Sequence, residues 1–162
     1  MDKQFLIEQL ANRLRESASV ARKASQAAAE IARDGATPAE KREDARVALE
    51  FSSLAKGQTE RAARVAAEIS TLETFRPPKV SPNGPITLGA IVEVEDESLG
   101  RTFFLAPVGA GIELTGPDGD GFLSVVTPIS PVGKAVLGRR VGDTVEVMVQ
   151  NEPREWTITY VG

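Results

Sequence analysis

The stretch Arg76-Pro77-Pro78-Lys79-Val80-Ser81-Pro82-Asn83-Gly84-Pro85 divides the chain. Its four prolines fix φ and remove backbone donors, so residues 77–85 read as a stiff linker. Alanine is concentrated before it, with 17 residues before Pro77 and 4 after. Glycine runs the other way: only Gly35 and Gly57 precede Pro77, leaving 12 of 14 for the rest. Pro38 is the one earlier proline. Alanine without glycine or proline favours helix, while dense glycine and proline mark turns between short strands. Charge divides at the same place. Residues 1–76 carry 13 basic and 12 acidic side chains (net +1), and residues 77–162 carry 6 and 11 (net −5).

Working toward the N-terminus, the spacing predicts two long helices. The first runs from about Lys3 to Arg33, with Leu6, Leu10, Leu14, Ala18, Ala21, Ala24, Ala28 and Ile31 three or four residues apart. The second runs from about Pro38 to Phe75, through Ala45, Ala48, Phe51 or Leu54, Ala55, Ala62, Val65, Ile69 and Leu72. Between them, Gly35 suits a helix C′ position, Thr37 an N-cap, Pro38 N1 and Glu40 the N3 end of a capping box. Stop and start signals this close imply an antiparallel helical hairpin over residues 1–76. At 1.5 Å per residue each arm is roughly 45–55 Å long. An alanine-rich stripe lets the arms approach closely but buries little apolar area. A spacer or dimerising coiled coil fits that pattern, as does a pair of arms that projects its tip.

Working toward the C-terminus, residues 86–162 alternate in the manner of strands. Ala90–Glu95, Thr102–Ala106, Gly111–Leu114, Phe122–Val126, Thr144–Val149 and Glu155–Val161 are separated by turn residues such as Pro117-Asp118-Gly119-Asp120-Gly121. One short helix interrupts them, with Ser130 as cap, Pro131 at N1 and Gly138 as C′. The expected fold class is α+β, a helical hairpin followed by a small, mostly antiparallel sheet with one packed helix.

Composition excludes much chemistry. Cysteine and histidine are both absent from the 162 residues. Thiol catalysis, disulfides, thiolate or imidazole metal sites and His-dependent triads therefore fall away. The lack of cysteine fits a reducing cytoplasm. No run of about 18 apolar residues marks a membrane span. The start, Met1-Asp2-Lys3-Gln4-Phe5, does not read as a signal peptide. A net charge of −4 argues against autonomous DNA binding, which draws on a concentrated basic face. A protein partner is the simpler expectation.

The stretch Thr127-Pro128-Ile129-Ser130-Pro131-Val132-Gly133-Lys134-Ala135-Val136-Leu137-Gly138-Arg139-Arg140-Val141-Gly142-Asp143-Thr144-Val145 resembles the C-terminal motif of the Gre family of bacterial transcription elongation factors. Ser130, Pro131, Leu137, Gly138, Gly142, Asp143 and Val145 match directly. Gly133 stands where the family usually has Ala, and Arg139 replaces the common Lys. The same cap and turn residues would also serve a generic small α+β domain. The resemblance implies a coiled-coil hairpin plus an FKBP-like domain. It implies RNA polymerase as partner, with Ser130, Pro131, Val132, Gly133 and Lys134 docking near the secondary channel and the hairpin entering it. Contact with transcript RNA would be indirect, and a monomer is expected.

In cleavage-stimulating members the hairpin tip usually reads Gly-Asp-Leu-x-Glu-Asn-Ala, and its acidic side chains help position a Mg²⁺ in the polymerase active site. Here the tip is Asp34-Gly35-Ala36-Thr37-Pro38-Ala39-Glu40-Lys41-Arg42-Glu43-Asp44-Ala45. Ala36 replaces the Asp, and Glu43 is the carboxylate that carries over, with Asp34, Glu40 and Asp44 as neighbours. Glu40 also serves as a capping-box residue, and Glu43 or Asp44 complements a helix N-terminus. Lys41 and Arg42 neutralise the tip locally. The expectation is therefore a regulator, itself no enzyme, that holds no metal tightly and shares at most a transient Mg²⁺ with the polymerase. The altered tip favours the non-cleaving version.

Two other functions compete: an FKBP-like prolyl isomerase or chaperone, and a structural coiled-coil adaptor. The aromatics Trp156, Tyr160, Phe103, Phe104 and Phe122 mostly sit in strand alternation, so they read as core and not as an apolar proline pocket. Arg139-Arg140 reads as a solvated turn.

Overall fold

The computed structural model describes residues 3–33, 41–116, 119 and 121–162, with the backbone alone at 32–33 and 41–45. Helix α1 spans Lys3–Arg33 and α2 spans Lys41–Thr74. Six strands follow: β1 (Ile91–Glu95), β2 (Gly100–Leu105), β3 (Glu113–Thr115), β4 (Phe122–Val126), β5 (Thr144–Val149) and β6 (Glu152–Val161). The short helix α3 (Pro131–Val136) lies between β4 and β5. The chain is α+β, a helical hairpin followed by a mixed six-stranded sheet. The hairpin turn with Thr37 and Pro38 lies outside the described residues, as does most of the turn at 117–120.

Two compact units divide the chain: residues 12–70, and residues 1–11 together with 71–162. The change from helix to strand falls in the linker. The division between compact units falls inside both helices, because the helix ends nearest the linker pack with the sheet.

In the 12–70 unit the helices follow a 3-4 spacing. Along α1, Leu14, Ala18, Ala21 and Ala28 are buried, with half-buried Ser25 between the last two. Ala24 and Ile31 are exposed, so the stripe passes through Ser25 and not Ala24. Alternating steps of four and three average 3.5 residues and hold one seam, whereas two successive steps of three, through Ala21 and Ala24, fall off it. The hydroxyl of Ser25 lies 2.7 Å from Thr59 Oγ1 and donates to the Ala55 carbonyl at 3.1 Å. Along α2 the seam runs Ala48, Phe51, Ala55, Gln58, Ala62, Val65 and Ile69, and Leu54 faces solvent.

In the other unit the sheet order is β3-β4-β2-β1-β6-β5. All pairs are antiparallel except β2 with β4. One face carries Val92, Val94, Phe103, Leu105, Val126, Val145, Val147, Trp156 and Ile158, and Val136 of α3 joins them. Alternation sends Ile91, Phe104, Leu114 and Val125 to the opposite face, where they are also buried. Leu6, Ile7 and Leu10 of α1 and Leu72 of α2 are buried in the same unit. Gly109, at φ +88°, lies so close to Leu10 that a Cβ would come within 2.8 Å of its Cδ1. Two buried sheet faces explain how a small domain with few aromatics gathers enough core.

β6 starts at Glu152, three residues earlier than its alternation suggests, and takes in Pro153. Proline fits because this end of β6 pairs only with β5, through Met148↔Pro153, while β1 joins from Thr157 onward.

Candidate docking site

The loop and helix after β4 are built around one carbonyl. Thr127, itself buried, offers its C=O to the Ser130 amide at 3.0 Å and to the Ser130 hydroxyl at 2.7 Å. Ser130 sits at φ −70°, ψ 156°, and its Oγ accepts the Gly133 amide at 3.1 Å. This is a side-chain N-cap that satisfies an orphan donor of the first turn. Pro131 occupies N1, where a missing N–H costs nothing. At the other end the Leu137 amide bonds the Gly133 carbonyl at 3.0 Å, and Gly138 takes φ +79°. The segment just after the linker closes over this end: Gly138 N–H donates to Ile86 O at 2.8 Å, and Ile86 N–H donates to Arg139 O at 2.7 Å.

The five docking candidates do not share one outward face. Pro131 and Lys134 are exposed. Ser130 is half-buried and its hydroxyl is spent in the cap. Val132 packs against the core. Gly133 is buried, and a Cβ there would overlap the Thr127 carbonyl oxygen. Its role is to let the chain pass under that carbonyl, which corrects the expectation that it forms a contact surface. The residue that sequence reasoning missed is Ile129, 81% exposed in the turn just before the cap. An apolar side chain between Pro128 and Ser130 was the available signal. Leu137 and Val141 are also exposed beyond α3. Arg139 and Arg140 are exposed, and Arg140 is anchored: its Nη1 donates to Asn83 O at 2.8 Å, and its amide to Asp143 Oδ2 at 2.9 Å.

The acidic tip is not built by the described residues. Asp34 and Glu40 lie outside them, and Glu43 and Asp44 are described only as backbone in the first turn of α2. Among the described residues no group of three or more His, Cys, Asp or Glu side chains could hold a metal ion. None of the described helices is long and apolar enough to cross a membrane.

The aromatics divide. Phe104 and Trp156 are buried, and Phe103 stacks on Trp156 at 5.7 Å between centroids and 25° between planes. The Arg101 guanidinium lies 5.5 Å from the same ring's centroid. With Phe103 and Arg101 against it, Trp156 forms no open floor for a proline ring. Phe122 and Tyr160, expected with the core, are exposed. Phe122 opens β4 opposite Thr115 at the margin of the sheet, where no further strand covers it.

A family profile described as transcription elongation factor, GreA/GreB, C-term matches residues 81–162. No curated protein matches the chain significantly. Among solved structures, the GreA factor homolog 1 (Gfh1) of Thermus thermophilus is similar at 23% identity, over 94% of each chain, with a TM-score of 0.38. Gfh1 of Thermus aquaticus is similar at 19% identity, over 95% of this chain and 92% of that one, with a TM-score of 0.38. A GreA/GreB elongation factor from Nitrosomonas europaea is similar at 21% identity, over 62% of this chain and 78% of that one, also at 0.38.

Proposed function

Because the chain belongs to the GreA/GreB family of transcription elongation factors, we propose that it binds RNA polymerase and acts through the polymerase's secondary channel. The observation that carries this reading is the extent of the family match, which takes in the α3 motif and every strand of the sheet. In this reading the sheet unit docks through the surface around α3, and the hairpin reaches into the channel. The docking contacts are Ile129, Pro131 and Lys134, whose side chains face solvent at the start and along the short length of α3. Ile129 supplies the apolar anchor and Lys134 a charge at its margin, the usual division between core and rim of an interface.

Catalysis belongs to the polymerase, and the factor is a cytoplasmic, monomeric regulator that meets transcript RNA only inside that complex. We assign it no resident cofactor. A shared Mg²⁺ needs free carboxylate oxygens at the tip. Ala36 stands where an Asp is usual, and Lys41 and Arg42 adjoin Glu43 and Asp44 in sequence. Opposite charges compete for those oxygens. The proposal is therefore a factor that occupies the channel without stimulating cleavage. The packed surroundings of Trp156 disfavour a prolyl isomerase.

The test uses core polymerase and a backtracked elongation complex. Wild type should bind, compete with other secondary-channel factors and leave the transcript uncut. Ile129→Glu should weaken binding by at least about tenfold with the fold intact, since a charge replaces an apolar anchor. Robust cleavage by wild type, lost in Glu43→Ala plus Asp44→Ala, would overturn the non-cleaving reading. Absence of any polymerase binding would overturn the whole.

A further inference from the structure

A groove of ≈ 550 Å³ lies within the sheet-bearing unit, between the first turn of α1 and the start of the linker. Lys3, Arg76 and Lys79 supply its cations, Pro77, Pro78 and Val80 its apolar wall, and Gln4 and Gly162 complete the lining. Three observations set it apart from an ordinary solvated surface.

First, Lys3 stands at the start of α1 and is partly withdrawn from solvent. It opens a 31-residue helix with no acidic residue in its first turn. A cation there faces the positive end of the helix dipole. Lys3 is also half-buried, and that burial holds its ammonium below the ordinary value of 10.5. Neither Lys3 nor Lys79 forms an ion pair with another described residue.

Second, Arg76 is held in place. Its Nη1 donates to Glu73 O at 2.9 Å and to Phe75 O at 3.0 Å. The remaining donors of a guanidinium fork are then positioned without further loss of side-chain freedom.

Third, the wall is rigid. Pro77 and Pro78 sit directly on Gly89, whose φ is +92° and where a Cβ would meet both rings at 3.1 Å. A fixed apolar wall beside cations suits a ligand that has both a ring and a charge.

We propose that this groove binds a phosphate-bearing small molecule, with Lys3, Arg76 and Lys79 on a di- or triphosphate and the Pro77–Pro78–Val80 wall against an attached ring. The volume is within the range of small-ligand sites. Charge-assisted hydrogen bonds from lysine and arginine are the strong contacts to phosphate oxygens. The inference does not depend on the proposed polymerase docking.

The experiment is an amide-resolved NMR titration of the full chain with pyrophosphate and, separately, with ATP. Saturable shifts are expected at Lys3, Gln4, Lys79 and Val80. Pyrophosphate binding equal to ATP binding supports a site for the phosphate group alone, and tighter ATP binding supports the wall contact as well. Lys3→Gln plus Lys79→Gln should weaken either ligand by at least about tenfold, and added salt should weaken it too. Arg76 is left intact because it also caps α2. If the double variant perturbs the fold, Lys79→Gln alone is exposed enough to serve, with a loss of about threefold. The proposal is overturned if neither ligand gives saturable shifts up to about 10 mM. It is equally overturned if the shifts persist unchanged in the folded variants.

Discussion

Gln9 and Thr115, 106 residues apart in sequence, are joined like neighbouring strands. The Thr115 amide donates to Gln9 Oε1 at 2.8 Å, and Gln9 Nε2 donates to the Thr115 carbonyl at 3.0 Å. Thr115 Oγ1 adds a third contact to the same oxygen at 3.2 Å. β3 is an edge strand, and an edge leaves backbone groups unpaired. A side-chain amide has one donor and one acceptor in the same sense as a peptide, so Gln9 closes the edge at this residue. Gln9→Ala should destabilise the sheet unit by about 1–3 kcal/mol, since part-buried backbone groups lose partners. Urea unfolding checks the magnitude, and faster amide exchange at Thr115 checks the cause.

At Gly133 the constraint is steric. Gly133→Ala places a Cβ on the Thr127 carbonyl that also anchors Ser130. Alanine, the usual residue of the family, fits only if the 127–130 turn shifts. The expected cost is about 1–3 kcal/mol, the range for overpacking. An unchanged denaturation midpoint would show that the turn yields freely.

A third outcome concerns the β5–β6 hairpin. Its two turn residues, Gln150 and Asn151, have φ values of 52° and 64°. Two positive φ values are the requirement of a type I′ turn, which favours Asn-Gly. Glutamine is poorly suited to the left-handed region. Gln150→Asn with Asn151→Gly should stabilise the protein by about 1 kcal/mol and raise its melting temperature.

Acid sensitivity should trace partly to Asp96, in the β1–β2 turn. The Ser98 amide, the Leu99 amide and the Ser98 hydroxyl all donate to its Oδ1, and they pull its pKa from 3.8 to about 2. The folded value lies below the unfolded one. The stabilisation is therefore complete above about pH 4 and is lost as pH falls toward about 2. Asp96→Asn keeps an acceptor but cannot titrate. Its stability should change less than that of wild type across that window, as followed by circular dichroism.

Local signals made most of this fold legible. The linker prolines marked where the helical part gives way to strands, and Ser130, Pro131 and Gly138 delimited α3 to the residue. Periodicity did less well where a seam accepts polar groups: Ser25 took the place expected of Ala24, because its hydroxyl finds Ala55 and Thr59 across the hairpin. The site was half legible. The cap residues could be read, but they are consumed by the cap. Whether Gly133 or Ile129 faces outward depends on the path of the Thr127 carbonyl, and no local pattern encodes that path. The Gln9–Thr115 link was invisible for the same reason, since it joins residues that only the finished sheet brings together.

The strand order has a consequence for how the protein is made. β1 lies inside the sheet between β2 and β6, yet β6 is the last strand in chain order. On a ribosome, β1 and β2 emerge long before the partner that covers the other side of β1. Until Thr157–Val161 leaves the exit tunnel, Val92 and Val94 sit on a strand with one open backbone edge. Exposed edges of this kind are aggregation-prone during synthesis. Both helices of the hairpin are made early, whereas the sheet is completed only when β6 arrives to pair with β1.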